Sequence, residues 1–123
     1  MRKVLLFTVL IFVITPGHAQ RGETSGPDRG TLLLIGGSAS DELFLPLFQE
    51  LIGGKDEAVV IIPTARGDEN LNHNGFYERQ KQRFERYGFT DVTVLHTRNP
   101  EESDSREFVE PLSRASGVWF MGG

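Results

Sequence analysis

The chain has 123 residues, with 13 basic and 17 acidic side chains, a formal net charge of −4 and no cysteine. This length allows one modest domain, and the absence of cysteine excludes disulfide scaffolds and thiolate metal sites. The acidic balance, without a Lys/Arg-rich run, gives no electrostatic basis for binding nucleic acid or an anionic membrane surface.

The amino terminus has the pattern of a secretory signal. Arg2 and Lys3 precede an apolar run over 4–14, and small residues lead to Ala19, which predicts a signal peptide over 1–19 and export to the periplasm or the outside. A membrane anchor is the alternative, but spanning a bilayer takes about 20 apolar residues and this run is shorter. Residues 20–29, rich in Gly, Ser, Pro and charge, predict a flexible leader.

The domain is expected over 30–123, where four apolar runs of strand length alternate with helical patterns. The runs lie at 31–35, 58–62, 92–95 and 117–121, and their nearly continuous apolar character is typical of parallel strands covered on both faces. The helical patterns lie within 41–52 and over 76–87 and 103–114. This βαβαβαβ series predicts an α/β fold with an open, mostly parallel sheet.

The helices have recognisable ends and faces. Gly53-Gly54 closes the first and Gly88 the second, while Pro46 and Pro111 interrupt the first and third. The charged residues of the second helix, among them Arg79, Arg83 and Arg86, predict a solvated face.

Ligands of open α/β sheets bind at the carboxyl ends of the strands, which here are 36–40, 63–66, 96–98 and 122–123. The backbone N–H groups of Gly36 and Gly37 could cradle an anion. Ser38 and Asp41 stand where a dinucleotide fingerprint needs glycines, so a nucleotide cofactor is not expected. Ser38 also misses the nucleophile pattern G-x-S-x-G by one position and is better explained as a capping or turn residue.

Two histidines remain after the predicted cleavage. His73 lies in a turn-forming stretch and is expected to be an exposed loop residue, whereas His96 follows a strand, where its side chain can point into the cleft. Neither has a second ligand at suitable spacing, so no metal site is predicted. The acidic pairs are interpreted as solvated loop or first-turn residues: Asp41-Glu42, Asp68-Glu69 and Glu101-Glu102.

Four segments in order carry a family resemblance: Gly30-Thr31-Leu32-Leu33-Leu34-Ile35-Gly36-Gly37, Glu50-Leu51-Ile52-Gly53-Gly54, Val60-Ile61-Ile62-Pro63-Thr64-Ala65 and Gly117-Val118-Trp119-Phe120-Met121-Gly122-Gly123. They resemble successive segments of cyanophycinase across nearly all of 30–123. Cyanophycinase and dipeptidase E are serine peptidases whose sheet is similar to that of class I glutamine amidotransferases, a flavodoxin-like three-layer sandwich. The resemblance implies hydrolysis of peptide or β-aspartyl peptide bonds.

The same resemblance implies that part of the machinery is missing. In the family, the serine elbow, the histidine base and its acidic partner follow the segment that ends in Gly122-Gly123. The 123 residues are therefore expected to be the N-terminal half, incomplete at the C-terminus and inactive alone, with no catalytic side chain of their own. The resemblance assigns the backbone near Gly122 and Gly123 to the oxyanion hole. Substrate contacts are expected at Gly36, Gly37, Thr64 and His96.

Two other readings stay open. A non-catalytic secreted α/β domain could bind a small anionic ligand through its glycine loops, whereas a nucleotide-dependent flavodoxin-like protein is disfavoured by the missing phosphate fingerprints. The expected partner is a peptide substrate, with neither nucleic acid nor a stable membrane anchor. An uncovered sheet edge at 117–121 would favour self-association into a homo-oligomer.

Overall fold

The computed structural model describes residues 29–36 and 39–122. The predicted signal peptide, the leader up to residue 28, and Gly37, Ser38 and Gly123 lie outside these residues. In chain order the elements are α1 (Asp41–Ile52), β1 (Val59–Ile62), α2 (Asp68–Leu71), α3 (Phe76–Glu85), β2 (Val92–Val94), α4 (Pro100–Ser103), α5 (Arg106–Arg114) and β3 (Gly117–Phe120). The alternation of helices and strands confirms the predicted α/β class.

The strands form an open parallel sheet in the order β2-β1-β3. Val59 aligns with Val92 on one side and with Gly117 on the other, so β1 is the central strand. The chain leaves β1, adds β2 at one edge and crosses back to add β3 at the other. The three strands occupy the positions that the apolar runs predict, within one residue at each end.

The strand predicted over 31–35 is wrong. The segment is irregular, and its side chains at Leu32 and Leu34 are 82% and 83% exposed. An apolar run forms a strand only when a neighbouring strand pairs with it and its side chains pack against the core. Among the described residues, no strand pairs with 31–35. Leu33 alone packs against the core.

One face of the sheet carries the core of the described residues. Trp119 stacks on Phe44 at 5.3 Å between ring centroids, and meets Phe48 at 5.3 Å and Phe84 at 5.6 Å edge-on. These rings come from β3, α1 and α3, and they close over buried Val59 and Ile61 of the central strand. Aromatic contacts of this kind therefore join both helices to the same face of the sheet.

The first two long helices follow the predicted pattern. α1 spans the predicted residues and ends at Gly53, whose φ of 104° is left-handed and lets the helix close. α3 ends at Glu85, two residues before the predicted end, and Gly88 at φ 90° turns the chain toward β2. Of the helices formed by the described residues, none is long and apolar enough to cross a bilayer.

The helix predicted over 103–114 is α5, which begins three residues later at Arg106, and the short helix α4 before it was not predicted. Ser105 separates them because its hydroxyl oxygen accepts a hydrogen bond from the N–H of Phe108 at 3.2 Å and starts a new helix. Asn99 caps α4 in the same way, with its side chain accepting from the N–H of Glu101 at 3.0 Å. The short helix α2 was not predicted, and its Leu71 is buried in the core.

Candidate functional site

The carboxyl ends of the three strands meet at one edge of the sheet. Thr64 follows β1 and His96 follows β2, and the threonine hydroxyl oxygen lies 3.0 Å from the Nδ1 atom of His96. This hydrogen bond joins two loops that are 32 residues apart in the chain. The edge therefore brings together two of the residues expected to contact substrate.

Arg98 fixes these two loops in place. Its guanidinium donates to the backbone carbonyl oxygens of Thr64 at 2.7 Å and Arg66 at 2.5 Å, and its Nε lies 2.9 Å from a carboxylate oxygen of Asp68. Three anchors on one planar group hold the loop after β1 against the loop after β2. The sequence places Arg98 in the strand end 96–98, where ligands are expected, but its spacing indicates no role for this side chain.

The surroundings of His96 favour the neutral form of its ring. Burial lowers its pKa, the cation of Arg98 lowers it further, and the carboxylate of Asp68 opposes both. Because Nδ1 shares a hydrogen bond with Thr64, Nε2 is the ring nitrogen left to serve a ligand. A neutral imidazole in this position can donate or accept one hydrogen bond at the edge of the sheet.

An open cavity of about 440 Å³, here named the α5 groove, begins at this pair of side chains. Its mouth carries Thr64, His96, Arg98 and Asn99. Its walls are apolar and come from the ends of β1 and β2 and from α5: Ile62, Leu95, Phe108, Val109 and Leu112. Polar groups at the mouth and apolar walls behind them are the usual arrangement of a small ligand site.

Gly122 follows β3 at the same edge. It is exposed, a Cβ atom added there would meet nothing within 4 Å, and its φ is outside the left-handed region. Neither the backbone nor the packing of the described residues requires glycine at this position. Glycine does leave the main chain open to close approach by another molecule. Gly123 lies outside the described residues.

Gly36 is placed differently from the expectation. It follows the irregular segment rather than a strand, and it does not line the α5 groove. The nearby helix start carries Asp41 and Glu42, and the pKa of each carboxyl is lowered, in Asp41 chiefly by hydrogen bonding to Arg83 and in Glu42 chiefly by its own backbone N–H. These acids occupy the positive end of α1, which weakens the case for an anion at this point. Gly37, the other member of the pair, lies outside the described residues.

His73 and the charged residues of α3 are predicted to be exposed to solvent. His73 is exposed, as expected for a loop histidine. The predicted solvated face of α3 is correct for Arg79 and Arg86 but wrong for Arg83, which is half-buried and paired with Asp41. Within 29–36 and 39–122, no three His, Asp or Glu side chains converge as a set of metal ligands.

No protein-family model, no curated protein and no solved structure matches the chain.

Proposed function

We propose that residues 30–123 are the N-terminal half of an exported serine peptidase that resembles cyanophycinase and hydrolyses peptide or β-aspartyl peptide bonds. The proposal extends the observed α/β sheet to the three-layer arrangement of class I glutamine amidotransferases. The nucleophilic serine and the histidine base are assigned to sequence that follows Gly123, since no G-x-S-x-G pattern occurs in the 123 residues.

The observation that carries the proposal is the position of Gly122, which follows β3 at the same edge of the sheet as Thr64 and His96. Its φ lies outside the left-handed region, so the backbone does not need glycine there for a turn. Glycine at this position would let a substrate carbonyl approach the main chain closely. Its N–H group would then stabilise the charge that develops on the carbonyl oxygen during acyl transfer.

The strand order supports the same location. The chain crosses over β1 on its way from β2 to β3, and such a reversal opens a crevice at the carboxyl ends of the strands. Ile62 aligns with Phe120, so the segments that contain Thr64 and Gly122 leave the sheet side by side. In the proposed enzyme, Thr64 and His96 would hold the substrate next to the oxyanion site. Neither is proposed as the nucleophile or the base.

The experiment that tests the proposal starts from the native secreted product. Its intact mass is measured, the reading frame after Gly123 is sequenced, and the product is treated with a fluorophosphonate probe for active serines. We expect a mature start at Gln20, a downstream serine elbow, covalent labelling and hydrolysis of a β-aspartyl dipeptide. A product that ends at Gly123, resists labelling and hydrolyses no peptide would contradict the proposal and favour the non-catalytic binding domain.

A variant isolates the role of the backbone. Gly122→Ala in the native enzyme should lower kcat by about 10²-fold with little change in KM, because the methyl group hinders approach to the oxyanion donor. The midpoint of thermal unfolding, measured on the same variant, separates a loss of activity from a loss of stability. An unchanged kcat would remove Gly122 from the oxyanion site.

A further inference from the structure

We propose that the α5 groove binds one apolar side chain of a peptide ligand, while Thr64 and His96 at its mouth hydrogen-bond to the uncharged backbone beside that side chain. The inference rests on the proposed function, because it names the substrate class that the same strand edge would select. It adds an apolar side chain to the peptide or β-aspartyl peptide bonds that the family resemblance implies.

The first support is an apolar helix face that remains partly open. Phe108, Val109 and Leu112 lie on one side of α5 and border the groove, and Val109 and Leu112 are still 37% and 36% exposed. None of the residues of α5 is fully buried, whereas α1 on the other face of the sheet buries Phe44, Leu45 and Phe48. A ligand with an apolar group would cover surface on α5 that the described residues leave in water.

The second support is size. The groove measures about 440 Å³, which falls within the roughly 300–1,000 Å³ typical of small-ligand sites. A single turn of helix, about 10 Å wide and 5.4 Å long, would already fill this volume. The groove is therefore large enough for a side chain such as leucine or phenylalanine, and it could enclose no more than about one turn of a partner's helix.

The third support is the charge at the mouth. Arg98 and His96 are the ionisable residues that line the groove. The cation of Arg98 is paired with Asp68 and also bonded to two backbone carbonyl oxygens. Nδ1 of His96 is hydrogen-bonded to Thr64, which leaves Nε2 for a ligand, and burial lowers the pKa of the ring. This mouth offers hydrogen bonds to an uncharged amide; its one cation among the described residues is already paired with Asp68, and none of their carboxylates lines the groove to receive a guanidinium.

The α5 groove and the carboxyl edge of the sheet adjoin each other, which lets the site select among peptide side chains. His96 and Thr64 belong both to the groove and to the strand edge, so a peptide that places its backbone along this edge can direct one side chain into the groove. Apolar walls favour a leucine or phenylalanine side chain, and a charged side chain would lose its hydration there without gaining a partner.

The test measures binding to the full native chain by NMR, with four probes of known charge. N-acetyl-leucine amide and N-acetyl-phenylalanine amide are compared with the N-acetyl amides of aspartate and arginine. We expect the two uncharged probes to shift amide signals over 95–99 and 108–112, and to bind at least about 10-fold more tightly than the charged pair. Equal binding of all four probes, or shifts confined to other segments, would overturn the inference.

Substitutions on α5 test whether the ligand's apolar side chain contacts this helix. Leu112→Gln should weaken binding of N-acetyl-leucine amide by about 10-fold, and Val109→Thr, which keeps the side-chain shape, should weaken it less. Leu43→Gln is the matched control, because Leu43 is an exposed leucine on α1 and does not line the groove. If Leu43→Gln weakens binding as much as Leu112→Gln does, the site is not the groove.

Peptide hydrolysis, measured separately, tells the two proposals apart. Apolar probes that bind the groove of a protein without serine-dependent hydrolysis would support the inference and contradict the peptidase. Serine-dependent hydrolysis with a preference for charged side chains, unaffected by Leu112→Gln, would support the peptidase and overturn the inference.

Discussion

Arg83 forms a two-point ion pair with Asp41. Its Nε donates to one carboxylate oxygen at 2.6 Å and its Nη2 contacts the other, which ties the last turn of α3 to the first residue of α1. The guanidinium also lies 6.0 Å from the ring centre of Phe44 and 5.9 Å from that of Phe84. With side chains only 22% and 28% exposed, the pair is sheltered from solvent and helps hold both helices over the same core.

A double-mutant cycle of Asp41→Asn and Arg83→Met should give a coupling energy of about 1 kcal/mol in urea unfolding, because the pair is bidentate and partly buried. Arg83→Lys should retain only part of this coupling energy, because an ammonium group cannot form the two parallel hydrogen bonds that a guanidinium makes to a carboxylate. The comparison pair is Arg114 and Glu110 on α5, 3.7 Å apart and half-exposed, for which about 0.4 kcal/mol or less is expected. Equal coupling energies in the two pairs would show that partial burial does not strengthen the Arg83–Asp41 ion pair.

The same pair makes stability depend on pH. Hydrogen bonding to Arg83 lowers the pKa of Asp41 below its ordinary value of 3.8, so the unfolded chain binds the proton more tightly than the folded chain does. The stabilisation is complete above the unfolded pKa and is lost as pH falls through the lower, folded pKa. The gap in unfolding free energy between wild type and Asp41→Asn should therefore be constant near neutral pH and shrink in acid. A gap that does not shrink once the pH falls below 3.8 would contradict this assignment.

Replacing Arg98 should raise the pKa of His96. Arg98→Gln removes the cation that disfavours protonation of the ring and leaves the carboxylate of Asp68 to favour it, while the effect of burial remains. Proton titration of the His96 ring by NMR measures the change. Arg114→Gln is the control, because Arg114 also pairs with an aspartate but contacts Asp91 at the amino end of β2. A fall in the pKa, or the same rise in both variants, would exclude a direct effect of Arg98.

Gly117 should tolerate no side chain. A Cβ atom there would lie 2.7 Å from Ile52 Cγ2 and 2.7 Å from the ring of Phe48, which is itself packed against Trp119. Gly117→Ala should therefore cost about 1–3 kcal/mol of unfolding free energy through overpacking. Chemical denaturation checks this value. Gly122→Ala, with open space around the added atom, is the matched variant and should leave stability unchanged.

Trp119 and Phe120 are neighbours on β3 with opposite surroundings. Trp119 contacts three aromatic rings, whereas Phe120 points to the other face and is 74% exposed. Trp119→Ala should cost about 3 kcal/mol of unfolding free energy, and Phe120→Ala no more than about 0.5 kcal/mol. Similar losses in the two variants, measured by circular dichroism in urea, would mean that the face around Phe120 is covered in solution.

Much of the fold could be predicted because its signals are local. The apolar runs at β1, β2 and β3 are bounded by polar residues, and Gly53 and Gly88 mark helix ends through positive φ values. Local signals are misleading where strand formation depends on pairing with another segment of the chain. Thr31 to Ile35 has the composition of a strand, yet its structure depends on whether another strand lies beside it.

The site could be predicted only in part, for a similar reason. His96 and Thr64 were singled out from their positions after strands, and the structure shows that they share a hydrogen bond. The role of Arg98 depends on carbonyl oxygens more than 30 residues away, at Thr64 and Arg66, and the role of Arg83 depends on Asp41. No spacing along the chain reveals such contacts, since they exist only after the helices have packed on the sheet.

The chain contains a single tryptophan, and it lies where the first helix and the last strand of the described fold meet. Residues near position 44 and position 119 come together only when the chain between them has folded into place. Emission from Trp119 therefore reports the closure of the whole sheet and helix assembly, without any attached dye. Recovery of the native spectrum after dilution from denaturant would record the joining of the two ends of the fold in one optical signal.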